Sequence, residues 1–284
     1  MNSKFKSHNS KLIIVAGPTA VGKTAYAVRL AQELGTEIVS CDSRQFYNEL
    51  RIGVARPSDE ELAAVRHHFV ACRPVTEPYN IYDYRQDALQ VINNLFENHD
   101  TVVAVGGSGL YIDALLHPVS PMPDPTPELR ERLQRMSLEE KRSQLKMLDP
   151  DYYFRVDLRN PVRLQRALEV CLMTGRPYSE VIAEVGGRKS EEAWDTEVRV
   201  LQMERAELRE RIDRRVDMMM QEGLLDEVRS LLPYRHLSTL NTVGYRELFP
   251  VLDGDASLDE AVASIKLNTW HYARKQMTWM RRYM

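Results

Sequence analysis

The sequence predicts an α/β fold: a parallel sheet flanked by helices, with an all-helical module inserted into it. Three observations carry that prediction. Gly17-x-x-x-x-Gly22-Lys23-Thr24 lies between an apolar β-branched run, Leu12 to Ala16, and a run in which Ala25, Val28, Leu30, Ala31 and Leu34 follow a helical period. Strand-like and helix-like patterns then alternate, which implies parallel strands crossed over by helices. Finally, PVSPMPDPTPEL, from Pro118 to Leu129, is too rich in proline for a regular element, and helical signals dominate beyond it.

The first element pair spells a P-loop through Gly17, Pro18, Thr19, Ala20, Val21, Gly22, Lys23 and Thr24. Glycine at 17 and 22 lets successive backbone N–H groups turn toward an anion, and the following helix points its positive dipole end at the same place. Lys23 adds a point charge, and Thr24 offers a hydroxyl to Mg²⁺. The site is one for a di- or triphosphate group.

A second strand, from Glu37 to Ser40, leads into Asp42-Ser43-Arg44-Gln45. A carboxylate just past the carboxyl end of a neighbouring strand lies beside the ligand crevice of such a sheet. Asp42 is placed to hold Mg²⁺, to accept a proton from an attacking nucleophile, or simply to cap a turn. A looped stretch to about Pro78 follows, then a helix from Tyr82 to Phe96. The strand from Thr101 to Val105 runs into Gly106-Gly107-Ser108-Gly109 and a helix from Gly109 to Leu116. This second strand–glycine turn–helix junction brings N–H groups and the Ser108 hydroxyl to the same sheet edge, although tight turns of this kind need glycine anyway.

The proline segment marks a domain junction. Residues 1–120 and 195–284 are expected to form the catalytic core, and 121–194 the helical insertion. Within the insertion, Pro127-Glu128 starts a helix, Ser137-x-x-Glu140 reads as a capping box, and Asn160-Pro161 caps a helix from Val162 to Met173. Thr196 to Met203 reads as a strand returning to the sheet, followed by helices over Ala206 to Leu232, Gly244 to Leu252 and Ser257 to Tyr283. The first of these carries Arg209, Arg211, Arg214 and Arg215. Arg211 and Arg215, one turn apart, suit a leaving pyrophosphate, while Glu207, Glu210 and Asp213 equally suit a salt-bridged solvated face.

Composition narrows the class. At 284 residues and 43% hydrophobic, the chain can bury one large core or two modest ones. No apolar run reaches the ~20 residues that span a bilayer, and MNSKFKSHNSK lacks the apolar stretch of a secretory signal. A cytoplasmic protein with a short disordered start and no membrane partner is expected. Cys41, Cys72 and Cys171 show no metal-site or disulfide spacing and are expected to be reduced and buried. The net charge of −3 argues against broad nucleic-acid binding, but after Glu260 no acidic residue occurs. There Lys266, Arg274, Lys275, Arg281 and Arg282 interleave with Trp270, His271, Tyr272, Trp279 and Tyr283. Such a segment suits RNA contact or, alternatively, a final helix packed on the core by its aromatic face.

Taken together, GPTAVGKT, DSRQFY with RIGVARP behind it, VGGSGLYIDALL, NPVRLQRALEV, RIDRRVDMMMQEGLLDEV, NTVGYREL and RKQMTWMRR resemble the bacterial tRNA dimethylallyltransferases, in the family's order and over nearly the whole chain from Lys11 to Arg282. The resemblance implies a P-loop NTPase-like core and transfer of a dimethylallyl group from dimethylallyl diphosphate to N6 of the adenine at position 37, 3′ of the anticodon. The tRNAs concerned read codons beginning with U. It implies that the P-loop cradles the donor diphosphate, so that ATP need not bind, with Mg²⁺ as cofactor on Thr24. Thr19, Lys23 and Arg215 would surround the leaving diphosphate, Asp42 would accept the N6 proton, and Ser108 stands where the family usually has Thr.

The resemblance also carries over segments that contact the anticodon stem-loop of the tRNA partner. These are Asp42, Ser43, Arg44 and Gln45; Arg130; Val162, Arg163, Leu164, Gln165 and Arg166; Asn241, Thr242, Val243, Gly244, Tyr245 and Arg246; and Arg274, Lys275, Gln276, Met277, Thr278, Trp279, Met280 and Arg281. A monomer is expected. The chain departs from the family's usual T-A-K-P, reading Val54-Ala55-Arg56-Pro57, and it ends at Met284 where relatives usually continue. Competing readings are an adenylate isopentenyltransferase, which would need neither the insertion nor the basic terminal helix, an ATP-dependent P-loop kinase, which would leave DSRQ unexplained, and a non-enzymatic RNA-binding protein.

Overall fold

The structure is a computed structural model that describes residues 10–184, 192 and 194–284. The expected disordered start falls outside these residues, as does the last stretch of the predicted helical segment before Glu192.

In chain order the first unit runs β1 (Lys11–Ala16), α1 (Lys23–Leu34), β2 (Ile38–Ser40), α2 (Asp59–Ala64), β3 (His67–His68), α3 (Ile81–Leu95), β4 (Thr101–Gly106) and α4 (Gly109–Leu116). A helical unit follows with α5 (Pro127–Arg135), α6 (Leu138–Leu148), α7 (Pro150–Tyr153), α8 (Pro161–Thr174) and α9 (Tyr178–Ala183). The chain then returns through β5 (Asp195–Val200), α10 (Arg205–Gln221), α11 (Leu224–Ser230), α12 (Phe249–Asp253) and α13 (Leu258–Met280). By packing, residues 1–116 with 192–284 form one compact unit and 117–191 the other, each limit a few residues earlier than the proline segment suggests.

The five strands pair in parallel in the order β3-β2-β4-β1-β5. Ala16 of β1 lies opposite Gly106 of β4 and Val200 of β5, and Ser40 of β2 lies opposite Val105 of β4. The turns that follow β1, β2 and β4 therefore emerge side by side at one sheet edge, where strand ends part to admit ligands. Burial on both faces explains the near-continuous apolar runs LIIVA and VVAV, since helices cover the sheet. Val15, Ile38, Val103 and Val105 pack with Ala27, Val28 and Ala31 of α1. Behind the P-loop, Ala20 and Val21 meet Leu208 and Ile212 of α10 and Ala273 of α13. In the helical unit, Leu133, Leu145, Leu164, Ala167 and Leu168 form a separate core. There Asp149 accepts N–H bonds from Tyr152 at 2.9 Å and Ser179 at 2.6 Å.

Several local expectations are corrected. The stretch read as loop holds α2, started by a capping box between Ser58 and Glu61, and the two-residue strand β3. The helix expected over Ala206 to Leu232 stops at Gln221, because Gly223 takes a left-handed φ of 96° that a continuing helix excludes. Of the helix expected from Gly244 to Leu252, only α12 forms: Gly244 is left-handed, at φ 99°, and Pro250 is accepted only in a first turn. Cys41 and Cys171 are buried as expected, but Cys72 is exposed, on a loop.

Candidate active site

A cleft of about 720 Å³ opens at that sheet edge, wholly within the first unit. Thr19, Gly22, Lys23 and Thr24 line it from the P-loop, Asp42 to Gln45 from the β2 end, and Gly106 from the β4 end. Arg211 and Arg215 of α10 and Ile265, Thr269, Tyr272 and Gln276 of α13 also reach it.

The P-loop bend needs its glycines. Gly22 sits at φ 97°, and a side chain on Gly17 would fall 3.0 Å from the Leu201 carbonyl oxygen. Lys23 donates to the Pro18 carbonyl at 2.7 Å. Burial pulls its ammonium down to about 8, with the Asp42 charge opposing and Arg215 adding to the shift. Arg215 donates to the Thr19 hydroxyl at 3.4 Å, and burial, then Arg211, lowers its guanidinium from the ordinary value. Among the described residues neither half-buried cation forms a salt bridge within 4.0 Å, and an incoming anion would relieve the pair.

The two readings of the α10 arginines divide between them. Arg211 and Arg215 line the cleft, whereas Arg209 pairs with Asp213 at 3.3 Å and Arg214 with Glu210 at 3.5 Å on the outer face.

Asp42 is half-buried beside these cations. Burial pushes its carboxyl up, and the Arg44 N–H, donated at 3.0 Å, together with the Lys23 charge, pulls the other way. The Ser108 hydroxyl accepts the Ser43 N–H at 3.2 Å and donates to the Ser43 hydroxyl at 3.3 Å, tying the β2 and β4 turns together. Gln45 donates to the Ala55 carbonyl at 3.0 Å.

Of the segments assigned to RNA, Thr242, Val243 and Gly244 line the cleft, and Asn241, Arg246, Arg274, Lys275, Thr278 and Arg281 are exposed. Arg130, Val162 and Arg163 are exposed on the helical unit, while Gln165 and Arg166 bind Glu169 there, at 3.0 and 3.3 Å. Four side chains within the segments named by the resemblance lie in the interior. Leu164 belongs to the helical core. Tyr245 packs on Gly53 and donates to Glu227 at 2.6 Å. Gln276 accepts the Thr19 N–H and donates to the Gly107 carbonyl, both at 2.8 Å, and Met280 is buried. Met277 is half-buried against the P-loop cluster, and the Trp279 ring lies against Gly109.

Sequence reasoning missed Tyr272 as a site residue. Its phenol is pushed up to about 12, by burial and then by the Asp42 charge, with the Ser108 and Gln276 side chains pulling the other way. The available signal was spacing: Ile265, Thr269, Tyr272 and Gln276 recur at one face of α13. Arg56, another cleft-lining group, stood in the RIGVARP motif without a role, and His67, also lining the cleft, had no signal at all.

Fold and site together define an α/β enzyme of the P-loop type, in which an anion grip and a half-buried carboxylate share one cleft. Residues 45–283 match the family described as IPP transferase. The chain belongs to the IPP transferase family. It is 46% identical over 279 residues to "tRNA dimethylallyltransferase 1" of Bacteroides thetaiotaomicron, covering 95% of this chain and 88% of that protein. Among solved structures, the tRNA isopentenylpyrophosphate transferase of Bacillus halodurans is 33% identical, with a TM-score of 0.67 over 96% of this chain and 87% of its own. The tRNA delta(2)-isopentenylpyrophosphate transferase of Staphylococcus epidermidis is 28% identical, with a TM-score of 0.69 over 97% and 91%.

Proposed function

We propose that this IPP transferase carries the dimethylallyl group of dimethylallyl diphosphate to N6 of adenine 37 in tRNAs reading codons that begin with U, releasing diphosphate. The observation that supports it is the nearness of a half-buried carboxylate, Asp42, to the half-buried cations Lys23 and Arg215 in one cleft. A phosphoryl-transfer kinase needs the cations; a base poised beside them suits an amine that must lose a proton as it attacks.

Lys23, Arg215, Thr19 and the P-loop N–H groups bind the donor diphosphate and hold the charge that grows on it as the C1–O bond breaks. Asp42 takes the N6 proton, Ser108 holds the Ser43 turn that carries Asp42, and Tyr272 closes that side. The adenine reaches the cleft by leaving the anticodon stack, at a cost of about a few kcal/mol that cleft contacts offset. Asn241 to Gly244 with Arg246, the exposed residues among Arg274 to Arg281, and Arg130 with Val162, Arg163, Gln165 and Arg166 on the helical unit supply the anticodon stem-loop contacts, the two arginines Arg163 and Arg166 by way of phosphates.

Mg²⁺ fits this donor set. Among the described residues no group of three or more His, Cys, Asp or Glu side chains could hold a metal, which matches an ion carried mainly by substrate oxygens with one or two protein ligands. Thr24 would hold it, and when bound it neutralises diphosphate charge. Among the described residues no helix is long and apolar enough to cross a membrane; we assign the enzyme to the cytoplasm as a monomer on its substrate alone.

The test is incubation with labelled dimethylallyl diphosphate, Mg²⁺, an unmodified tRNA with A37 after an anticodon ending in A, and AMP as competing acceptor. Label in the tRNA alone is expected. Label in AMP would indicate a nucleotide prenyltransferase, and no label with ATP bound would indicate a kinase.

A further inference from the structure

One wall of the cleft is neither strand nor helix. Residues 51–57 form it, and their backbone is held from two sides. On one side the Glu227 carboxylate, carried by α11, accepts the N–H groups of Arg51 at 3.2 Å, Ile52 at 2.8 Å and Gly53 at 3.1 Å. The same carboxylate accepts the Tyr245 hydroxyl at 2.6 Å. On the other side Gln45 donates to the Ala55 carbonyl at 3.0 Å. Gly53 is required there, since a Cβ would lie 2.5 Å from the Tyr245 ring. Ala55 is kept at φ 48°, a conformation an isolated loop would leave.

We propose that Glu227 is a positioning residue that fixes the 51–57 wall against Tyr245 and so sets the acceptor side of the cleft, independently of the donor side. It rests on the tRNA-modifying reading given above. The donor side has its own supports, Gln276 on the Thr19 N–H and Arg215 on the Thr19 hydroxyl, and Glu227 touches neither. The wall adjoins Thr242, Val243 and Gly244 across the cleft, and the residue after them is the Tyr245 that Glu227 holds. It also carries Arg56, whose buried Nε has no partner and whose Nη1 reaches only the Asn48 carbonyl, at 3.4 Å. A guanidinium left with unused donors on the acceptor side suits a phosphodiester of an extruded nucleotide. Four donors converge on Glu227, so only a group with acceptors on both arms fits. The amide of Glu227→Gln would set two N–H groups among them and leave donors unpaired.

The experiment compares wild type and Glu227→Gln in steady-state transfer to the unmodified tRNA, with dimethylallyl diphosphate affinity measured separately by calorimetric titration in Mg²⁺. The expected result is a KM for tRNA raised by about tenfold or more, a lower kcat, and donor affinity within about twofold of wild type. An unchanged tRNA KM, or a loss of donor affinity equal to the loss in tRNA KM, would overturn the assignment. If Glu227→Gln shows no cooperative unfolding transition, Tyr245→Phe is measured the same way: it removes only the hydroxyl bond and keeps the ring on Gly53, and a rise in tRNA KM without donor loss is again expected. A wild-type enzyme that transfers nothing to tRNA would remove the reading beneath the proposal, an outcome distinct from a variant that transfers normally.

Discussion

The Gln276 carboxamide accepts the Thr19 backbone N–H at 2.8 Å, joining the end of the chain to the P-loop across 257 positions of sequence. Its other arm donates to the Gly107 carbonyl at 2.8 Å, so one buried amide sets the spacing of the two glycine turns. A buried amide satisfied at both ends specifies geometry more than it adds stability.

Gln276→Ala leaves a buried N–H and a buried carbonyl without partners, a loss of about 1–3 kcal/mol for each group. The expected outcome is a lower Tm and donor affinity reduced about tenfold or more. Gln276→Glu keeps the acceptor for Thr19 but faces Gly107 with a carboxylate and adds negative charge beside the P-loop. It should bind the diphosphate more weakly than the alanine variant, which thermal shift with dimethylallyl diphosphate would read directly.

The Lys23 ammonium, lowered to about 8 by burial, makes donor binding depend on pH. At pH 7 it is mostly charged; above 8 a growing share must take up a proton before it can hold a diphosphate. Affinity for the donor should fall as pH rises beyond 8, with proton uptake on binding, measurable by titration in buffers of different ionisation enthalpy. The free protein behaves oppositely. A lysine whose folded pKa lies below its unfolded value of about 10.5 contributes stability above that value and loses it as pH falls through 8. Lys23→Met should therefore flatten the rise in unligated stability between pH 8 and 10.5.

What was legible in the sequence follows from range of interaction. The P-loop, Asp42 and the Gly106–Gly109 turn each sit at the end of a strand, so spelling and position coincide, and parallel pairing puts all three at one edge. The pairing that makes Gln276 a P-loop support was not legible, because RKQMTWMRR has the same composition whether its face meets RNA or the core. The helix divides its faces: Arg274 and Lys275 are exposed while Gln276 and Met280 turn inward one position or one turn away. The two-residue β3 was invisible since period-two alternation needs more than His67 and His68 to register. Glu227 looked like any acid on a surface helix, with Ser230 and Arg229 around it, until the 51–57 backbone closed on it.

The α10 arginines offer an internal comparison. Arg215 is half-buried with its Nη1 on Thr19, whereas Arg214, next to it, points outward to Glu210 with 70% of its side chain exposed. Arg215→Ala is expected to cut kcat/KM for the donor by about 10²-fold or more through lost stabilisation of the leaving diphosphate. Arg215→Lys should restore part of this, because it returns the charge but not the forked donors. Arg214→Ala should leave transfer rates unchanged and shift stability by at most about 0.5 kcal/mol, as exposed ion pairs contribute little. Equal effects at both positions would mean that α10 acts through its net charge and not through the one arginine in the cleft.

Asp42 sets function against stability. Burial raises its carboxyl above the ordinary value, so the folded protein holds the Asp42 proton more tightly than the unfolded chain does. For such a group stability is fully present below the unfolded pKa and is lost as pH rises through the folded one. Catalysis needs the ionised form, and the rate should climb with pH through the same raised pKa until Lys23 begins to lose its proton near 8. Asp42→Asn keeps the acceptor for the Arg44 N–H and removes the half-buried charge. It is expected to lower kcat by about 10²–10⁴-fold, to leave tRNA affinity near wild type, and to raise Tm at pH 8 while changing it little at pH 4. The pair of measurements is a pH–rate profile and a pH–Tm profile on the same two proteins. Wild-type turnover in the asparagine variant would remove the base from Asp42, and a Tm lowered at pH 8 would show the carboxylate to be held as a structural anion by Lys23.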